Sequence, residues 1–114
     1  MSDGASRIAE AFSVGRPLFV PYVMGGYPDV ATSLRYAEAL VPHADILELG
    51  VPFSDPVADG PTNQRAAERA LGVGTSLAGV LATVQAIREQ DDLPIVLFSY
   101  ANPVVRYGVD RFAE

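Results

Sequence analysis

The 114-residue sequence contains no cysteine and only one histidine, His43. Without cysteine the chain can form neither disulfide bonds nor thiolate metal sites, and it is compatible with a reducing cytoplasm. A single histidine cannot supply a cluster of metal ligands, so we expect no metal and no cofactor. Because cations are favoured at the C-termini of helices, we interpret His43 as a helix-end or turn residue.

Basic residues are also few, and long apolar runs are missing. Eight arginines and no lysine stand against 14 acidic residues, for a net charge of -6. This balance argues against non-specific nucleic-acid binding, which needs a basic face. No apolar run approaches the roughly 20 residues of a membrane helix, and the first residues lack the pattern of a secretory signal. We therefore expect a cytoplasmic protein without a nucleic-acid or membrane partner.

The composition is that of a globular fold, with 49% hydrophobic and 19% charged residues. The length suffices for one small domain, and no linker or repeat divides the chain, so we predict a single domain over residues 1–114. Apolar periodicity and turn residues predict five helices and three strands. The helices are predicted at 4–14 with Ser6 as a possible N-cap, 28–41, 62–71, 75–90 with Thr75 as N-cap, and from 109 onward. The strands are predicted at 18–24, 44–51 and 93–100, and residues 101–108 as a loop.

Nearly continuous apolar strands that alternate with helices indicate parallel strands covered on both faces. A doubly wound sheet would fit, but Gly25-Gly26-Tyr27-Pro28 is not its usual glycine-rich G-x-G-x-x-G turn. A β/α barrel takes about 250 residues, so this chain could form only part of one. We predict an α/β fold that is the N-terminal part of a (β/α)8 TIM barrel. It would hold about three β/α units and an N-terminal helix in a single incomplete barrel domain.

The stretch D-I-L-E-L-G-V-P-F-S-D-P-V-A-D-G-P carries one carboxylate, Glu48, inside the apolar run of the second predicted strand and two more, Asp55 and Asp59, in the loop that follows. Glu48 lies inside the apolar strand, where an unpaired carboxylate costs very roughly several kcal/mol. If Leu47 and Leu49 face the helices, alternation points Glu48 into the barrel near its C-terminal mouth, where barrel enzymes place catalytic groups. Asp59 lies in the loop after this strand, behind Pro52 and Pro56, which limit how far the loop can move. Two carboxylates in a partly dry pocket suit acid–base chemistry without a metal.

Each of these residues also has a structural interpretation. Glu48 could form an ion pair with an arginine on a neighbouring strand. Asp59 could cap the helix that follows it, since aspartate is a favoured N-cap. Asp55 fits a turn residue with local hydrogen bonds, and Tyr22 and Tyr100 fit core or rim aromatics. The residues alone leave these alternatives open.

The stretch Glu48–Pro61, E-L-G-V-P-F-S-D-P-V-A-D-G-P, resembles the signature of the tryptophan synthase alpha chain family. Two further segments are similar to that family: P-Y-V-M-G-G-Y-P-D at Pro21–Asp29 and L-F-S-Y-A-N-P-V at Leu97–Val104. The resemblance extends from about Ile8 to Glu114. A fourteen-residue match that contains both acidic groups is far more specific than a short motif.

The resemblance implies a lyase of tryptophan biosynthesis that cleaves indole-3-glycerol phosphate to indole and glyceraldehyde 3-phosphate. Glu48 matches the family's catalytic glutamate, a general base and acid, and Asp59 matches its catalytic aspartate. Tyr22 and Tyr100 match positions that line the indole pocket, and Tyr22 carries a hydroxyl where many family members have phenylalanine. The loop after the second strand faces the beta chain in the family, with Pro52 and Asp55 as candidate contacts in an alpha2beta2 assembly.

In the family, the phosphate-binding backbone and a mobile lid come from later strands. Three strands cannot close a barrel, so we expect the 114 residues alone to be inactive and prone to aggregation. Two other functions stay open. One is a non-catalytic alpha-like subunit that binds and regulates a beta chain. The other is a different sugar-phosphate barrel aldolase or isomerase, which a lysine at a strand end would favour; the predicted strands contain none.

Overall fold

A computed structural model describes residues 3–114, and its centre is a three-stranded parallel sheet in the order β1-β2-β3. The strands are β1 Tyr22–Met24, β2 Leu47–Gly50 and β3 Ile95–Phe98. In the ladder, Glu48 of β2 lies opposite Tyr22 of β1 on one side and Val96 of β3 on the other. Neighbouring strands are therefore consecutive in the chain, as in successive β/α units.

Helices connect the strands and follow the last one. They are α1 Gly4–Phe12, α2 Val30–Leu40, α3 Pro61–Gly72, α4 Leu77–Arg88, α5 Ala101–Tyr107 and α6 Val109–Ala113. A single 3-10 turn, Val41–His43, follows α2. This turn places His43 in a helix end, as predicted, and the predicted order of the other helices and strands is confirmed apart from α5.

The strands are shorter than predicted, because the regular ladder begins late in each apolar run. In the first run, Pro21 has no N–H to donate, and its carbonyl accepts the backbone N–H of Glu48 at 2.9 Å. Before it, the Phe19 carbonyl accepts the Asp45 N–H at 2.9 Å. The chain is thus extended and hydrogen-bonded to the next strand from residue 19, but the regular hydrogen-bond ladder of β1 begins only at Tyr22.

Two predicted helix caps are wrong. Helix α1 is capped by Asp3, whose carboxylate accepts the Ser6 backbone N–H at 2.8 Å. Helix α4 is capped by Ser76, whose hydroxyl accepts the Gly79 N–H at 3.2 Å, and Thr75 is a buried residue before it. In both cases the side chain that reaches the third N–H of the helix is the cap.

Residues 101–107, predicted as a loop, form helix α5. Pro103 is its third residue, and the first four N–H groups of a helix have no intrahelical acceptor, so a proline there breaks no hydrogen bond. The helix ends at Gly108, which has a φ of +108° and donates its N–H to the Val104 carbonyl. Proline and glycine therefore mark the start and end of a helix in this segment.

The core lies between one face of the sheet and helices α2 and α4. Leu47 and Leu49 are fully buried there, which confirms that alternate residues of β2 face the helices. Helix α4 lines the same space with apolar side chains, of which Leu77, Val80 and Ile87 are buried and Leu81 and Val84 half-buried. Two clusters share this space: Ala37, Leu47, Ile87 and Leu93 in one, and Leu49, Val51, Leu77 and Val80 in the other.

No single helix between residues 3 and 114 is long and apolar enough to cross a membrane. Helices α3 and α4 reach that length and composition only as a pair, and the pair is bent by 97°. Over the same residues, His, Asp and Glu side chains form no group of three or more that could hold a metal ion.

Candidate active site

A cavity of about 480 Å³ opens at the carboxyl ends of the three strands. It contains four of the six predicted site residues: Glu48, Asp59, Tyr22 and Tyr100. The other lining residues are Met24, Val51, Ala58, Asn63, Phe98 and Ser99. The cavity is thus lined by the ends of the strands, the loop after β2 and the first turn of α3.

Glu48 is half-buried and lies on the sheet face opposite the core, between the fully buried Leu47 and Leu49. The two ion pairs of residues 3–114 are Arg7–Asp92 and Arg16–Asp45, and neither involves Glu48. The interpretation of Glu48 as a structural ion pair is therefore wrong. Its carboxylate accepts no hydrogen bond from the described residues, which leaves it available to a ligand.

Asp59 lies at the end of the loop after β2, and it does not cap α3. That helix begins at Pro61, its cap is Gly60, and no side chain makes the capping hydrogen bond. The backbone around Asp59 is held instead by Gln64, whose side-chain amide donates to the carbonyls of Asp59 at 3.0 Å and Pro56 at 3.3 Å. The capping interpretation is wrong, and the Asp59 carboxylate has no hydrogen-bond donor within the described chain.

Tyr100 holds the same loop from the other side. The backbone N–H of Ala58, the residue before Asp59, donates to the Tyr100 hydroxyl at 2.9 Å. The Tyr100 ring also packs on Phe53, with 5.3 Å between ring centroids. Tyr100 therefore lines the cavity and in addition holds the loop that carries Asp59, a contact that the sequence does not indicate.

Tyr22 forms the opposite wall, with its ring edge-on to Phe98 at a centroid distance of 6.0 Å. Burial, followed by the negative charges of Asp59 and Glu48, raises the pKa of Tyr22 to about 12. Both carboxylates line the same cavity as the phenol. Tyr22 is thus a neutral hydrogen-bond donor beside two acidic groups.

The two predicted partner-contact residues, Pro52 and Asp55, lie outside this cavity. Pro52 is buried beneath the loop and borders a separate cavity of about 520 Å³. Asp55 is exposed, and its carbonyl accepts the Val57 N–H at 2.8 Å in a local turn. Val57 has 86% of its surface exposed. Asp55 and Val57 therefore present their side chains to solvent, whereas Pro52 does not.

Asn63 and Phe98 are cavity residues that were not predicted from the sequence. Phe98 lies opposite Gly50 in the ladder, so strand alternation could have placed it on the face of Glu48. Asn63 comes from the first turn of α3, four residues after Asp59. Only the direction in which that helix leaves the loop brings it to the cavity, and local patterns do not specify this direction.

Parallel β/α units with polar groups at the carboxyl ends of the strands define a class of protein, the β/α barrel, in which that end of the strands carries the active site. The described elements form an N-terminal part of such a barrel. Within the class, the chain belongs to the tryptophan synthase alpha chain family, whose model matches residues 8–114.

Two curated relatives show how far the similarity extends. The tryptophan synthase alpha chain of Leptothrix cholodnii is 53% identical over 117 aligned positions, which cover 100% of this chain and 43% of the relative. That of Deinococcus radiodurans is 45% identical over 113 positions, covering 96% and 42%. The chain therefore spans less than half the length of the curated relatives it matches.

Solved structures agree with this assignment. The alpha subunit of Legionella pneumophila has a TM-score of 0.89 at 37% identity, covering 99% of this chain and 44% of that one. Tryptophan synthase of Mycobacterium tuberculosis in an aminoacrylate-bound form has a TM-score of 0.87 at 42% identity, covering 99% and 46%. A tryptophan synthase complex of Pyrococcus furiosus has a TM-score of 0.79 at 42% identity, covering 83% and 40%.

Proposed function

We propose that this chain, as the N-terminal part of a tryptophan synthase alpha chain, takes part in the cleavage of indole-3-glycerol phosphate to indole and glyceraldehyde 3-phosphate. The enzyme would be a carbon–carbon lyase of tryptophan biosynthesis in the cytoplasm. The observation that carries the proposal is the cavity itself. Glu48 and Asp59 line it together, and neither carboxylate is occupied by an ion pair or hydrogen bond in residues 3–114.

The proposed role of Glu48 is proton transfer. Cleavage removes a proton from the hydroxyl on the carbon attached to the indole ring, so that this carbon becomes the aldehyde of glyceraldehyde 3-phosphate. The ring carbon that loses its substituent takes up a proton. A half-buried carboxylate at the strand end can accept the first proton and donate the second, which balances the reaction without a redox step.

Asp59 would act on the ring nitrogen. Protonation of the ring carbon gives the nitrogen positive character, and a charged carboxylate that accepts its N–H stabilises this state. The Gln64 amide and the Tyr100 hydroxyl hold the backbone on both sides of Asp59, which supports a fixed position for the carboxylate. Tyr22 and Phe98 supply an aromatic wall suited to a flat ring.

The partner in this proposal is a tryptophan synthase beta chain in an alpha2beta2 assembly. The loop after β2 supports it, because Asp55 and the 86%-exposed Val57 offer one charged and one apolar side chain at the outer end of the site. Indole would pass to the beta chain on this side. The groups that bind the phosphate would come from the part of the alpha chain that relatives have beyond this stretch.

The test uses a full-length version in which residues 1–114 are continued by the remaining part of the Leptothrix cholodnii relative. Glu48→Gln removes the proton acceptor and is expected to lower indole formation by about 10²- to 10⁴-fold. Binding of the beta chain, measured by calorimetry, should be unchanged. Glu10→Gln, on the exposed surface of α1, is the matched control and should keep the parent rate. Unchanged indole formation in the Glu48 variant would contradict the proposal.

A further inference from the structure

The hydroxyl of Tyr22 occupies a space that exists because residue 50 is glycine. Tyr22 and Glu48 are partners in the β1–β2 ladder, so both side chains stand on the cavity face of the sheet. A Cβ atom built on Gly50 would lie 2.1 Å from the Tyr22 hydroxyl oxygen and 2.8 Å from Cζ. The phenol therefore reaches from the level of Glu48 toward the level of Gly50, in the direction of the cavity mouth.

This hydroxyl has no strong acceptor among the side chains and backbone of residues 3–114. It donates to the sulfur of Met24 at 3.8 Å, and thioether sulfur is a weak acceptor. The hydroxyl of Tyr100, which lines the same cavity, accepts the Ala58 N–H at 2.9 Å. A half-buried donor that lines an open cavity can donate to water or to a ligand oxygen, so it is available for substrate binding. With its pKa raised to about 12, the phenol keeps its proton throughout the working pH range.

We propose that the Tyr22 hydroxyl is a specificity-determining donor that binds a hydroxyl oxygen on the glycerol side chain of the substrate, next to Glu48. The inference rests on the proposed function. The reacting hydroxyl must lie at Glu48, which places the polar side chain of the substrate at the level of β2 where the Tyr22 hydroxyl stands. The indole ring nitrogen carries an N–H and offers no acceptor, which leaves the side-chain hydroxyls and the phosphate. The hydroxyls are the acceptors that stand beside Glu48, so they are assigned to Tyr22.

A structural role for the same atom makes a different prediction. If the hydroxyl only fills the space above Gly50, its removal affects every ligand of the cavity to the same extent. If it is a donor to the side-chain hydroxyls, its removal affects only ligands that carry them. Comparison of two ligands therefore separates the two roles.

The experiment uses the full-length version with Glu48→Gln, which slows turnover enough for binding to be measured by calorimetry. The ligands are indole-3-glycerol phosphate and an analogue with hydrogen in place of both side-chain hydroxyls, 3-(indol-3-yl)propyl phosphate. Tyr22→Phe is expected to raise the Kd of the substrate about threefold to tenfold, the effect of one neutral hydrogen bond, and to leave the Kd of the analogue unchanged. Tyr36→Phe, which removes a hydroxyl outside this cavity, should change neither.

Gly50→Ala provides a second variant, because its methyl group must displace the Tyr22 hydroxyl. It should reduce the preference for the substrate over the analogue by a similar factor, and it should reduce that preference no further when Tyr22 is already phenylalanine. Equal weakening of both ligands by Tyr22→Phe, or no change in either, would overturn the inference. Failure of the proposed function is seen separately: the parent with Glu48 would then form no indole, whatever residue 22 is.

Discussion

At the scale of single residues, one hydroxyl fixes the position of the loop that carries Asp59. Tyr100 accepts the Ala58 N–H at 2.9 Å, and Ala58 is the residue before Asp59. Tyr100→Phe keeps the ring against Phe53 and removes only this contact. In the full-length version we expect kcat to fall about threefold to tenfold, as for the loss of one neutral hydrogen bond, with little change in thermal stability.

A double-mutant cycle checks whether Tyr100 acts through Asp59. If it does, the kcat loss from Tyr100→Phe should largely disappear when Asp59 is already asparagine, because the positioned carboxylate is gone. Equal losses in both backgrounds would show that the Tyr100 hydroxyl contributes by another route. Steady-state indole release from the four proteins is sufficient for this measurement.

Asp45 is paired with the guanidinium of Arg16. Its carboxylate accepts two hydrogen bonds from the Arg16 guanidinium, at 2.6 and 3.1 Å, and one from the Phe19 N–H at 2.8 Å. The hydrogen bonds from Arg16, followed by that from Phe19, lower the pKa of Asp45 to about 2. Since the unfolded value is about 3.9, the pair stabilises the fold above about pH 4, and this stabilisation is lost as the pH falls toward 2.

Asp45→Asn should therefore lower the urea midpoint of the full-length version at pH 5 to 7, and the difference from the parent should shrink between pH 4 and 2. Asp92→Asn is the control, since Asp92 is 89% exposed and lies 3.8 Å from Arg7. The Arg7 side chain is only 14% exposed, but the contact is too long for a hydrogen bond and the carboxylate is solvated, so this variant should unfold like the parent at every pH. A difference for Asp45→Asn that does not change with pH would contradict the assignment.

At the scale of elements, Gly108 separates α5 from α6 with a φ of +108°, a conformation that side-chain-bearing residues adopt only with strain. A Cβ there would contact only the Arg111 side chain at an ordinary 3.6 Å, so the cost is conformational and not a clash. Gly108→Ala is expected to lower the free energy of unfolding by about 1 kcal/mol or more. Thermal or urea unfolding of the full-length version, with Gly108→Ala compared with its parent, measures this change in the free energy of unfolding.

Gly72 is the matched control for that substitution. It ends α3, it has no neighbouring atom within 4 Å of a built Cβ, and its φ is not positive. Alanine is the better helix former by about 0.5–1 kcal/mol, so Gly72→Ala should be neutral or stabilising. If both variants destabilise equally, helix-end context and not the backbone conformation of Gly108 is responsible.

The elements also show how far sequence reasoning reaches. The alternation that buries Leu47 and Leu49 is a local period of two, and it correctly put Glu48 on the opposite face. Cap positions and α5 were missed because proline, glycine and serine fit either a loop or a helix end, and the neighbouring contacts decide. Asn63 was missed because it depends on the direction of α3. The chemical roles of the site residues came from the family resemblance, and they remain proposals.

At the scale of the whole molecule, β1 and β3 each pair on one side only within residues 3–114. Apolar side chains are exposed on β3 and on the helix that follows it, with Phe98 55% and Val105 65% accessible. Open edges and exposed apolar surface favour association between chains. The purified 114-residue chain should therefore form no indole and should elute as oligomers or aggregates. A monomer that releases indole would contradict this prediction, and light scattering with an indole assay tests both parts.

The alternation of β2 has a consequence for how mutations in this strand will be tolerated. Leu47 and Leu49 are packed in the core, whereas Glu48 borders the cavity and Gly50 leaves room for the Tyr22 hydroxyl. Substitutions at 47 and 49 should reduce the amount of folded protein in cells. Substitutions at 48, and a small one such as alanine at 50, should leave abundance near normal and reduce function. Four consecutive positions would thus give two alternating phenotypes. A mutational scan that scores protein abundance and cell growth separately would reveal the orientation of the strand without a structure.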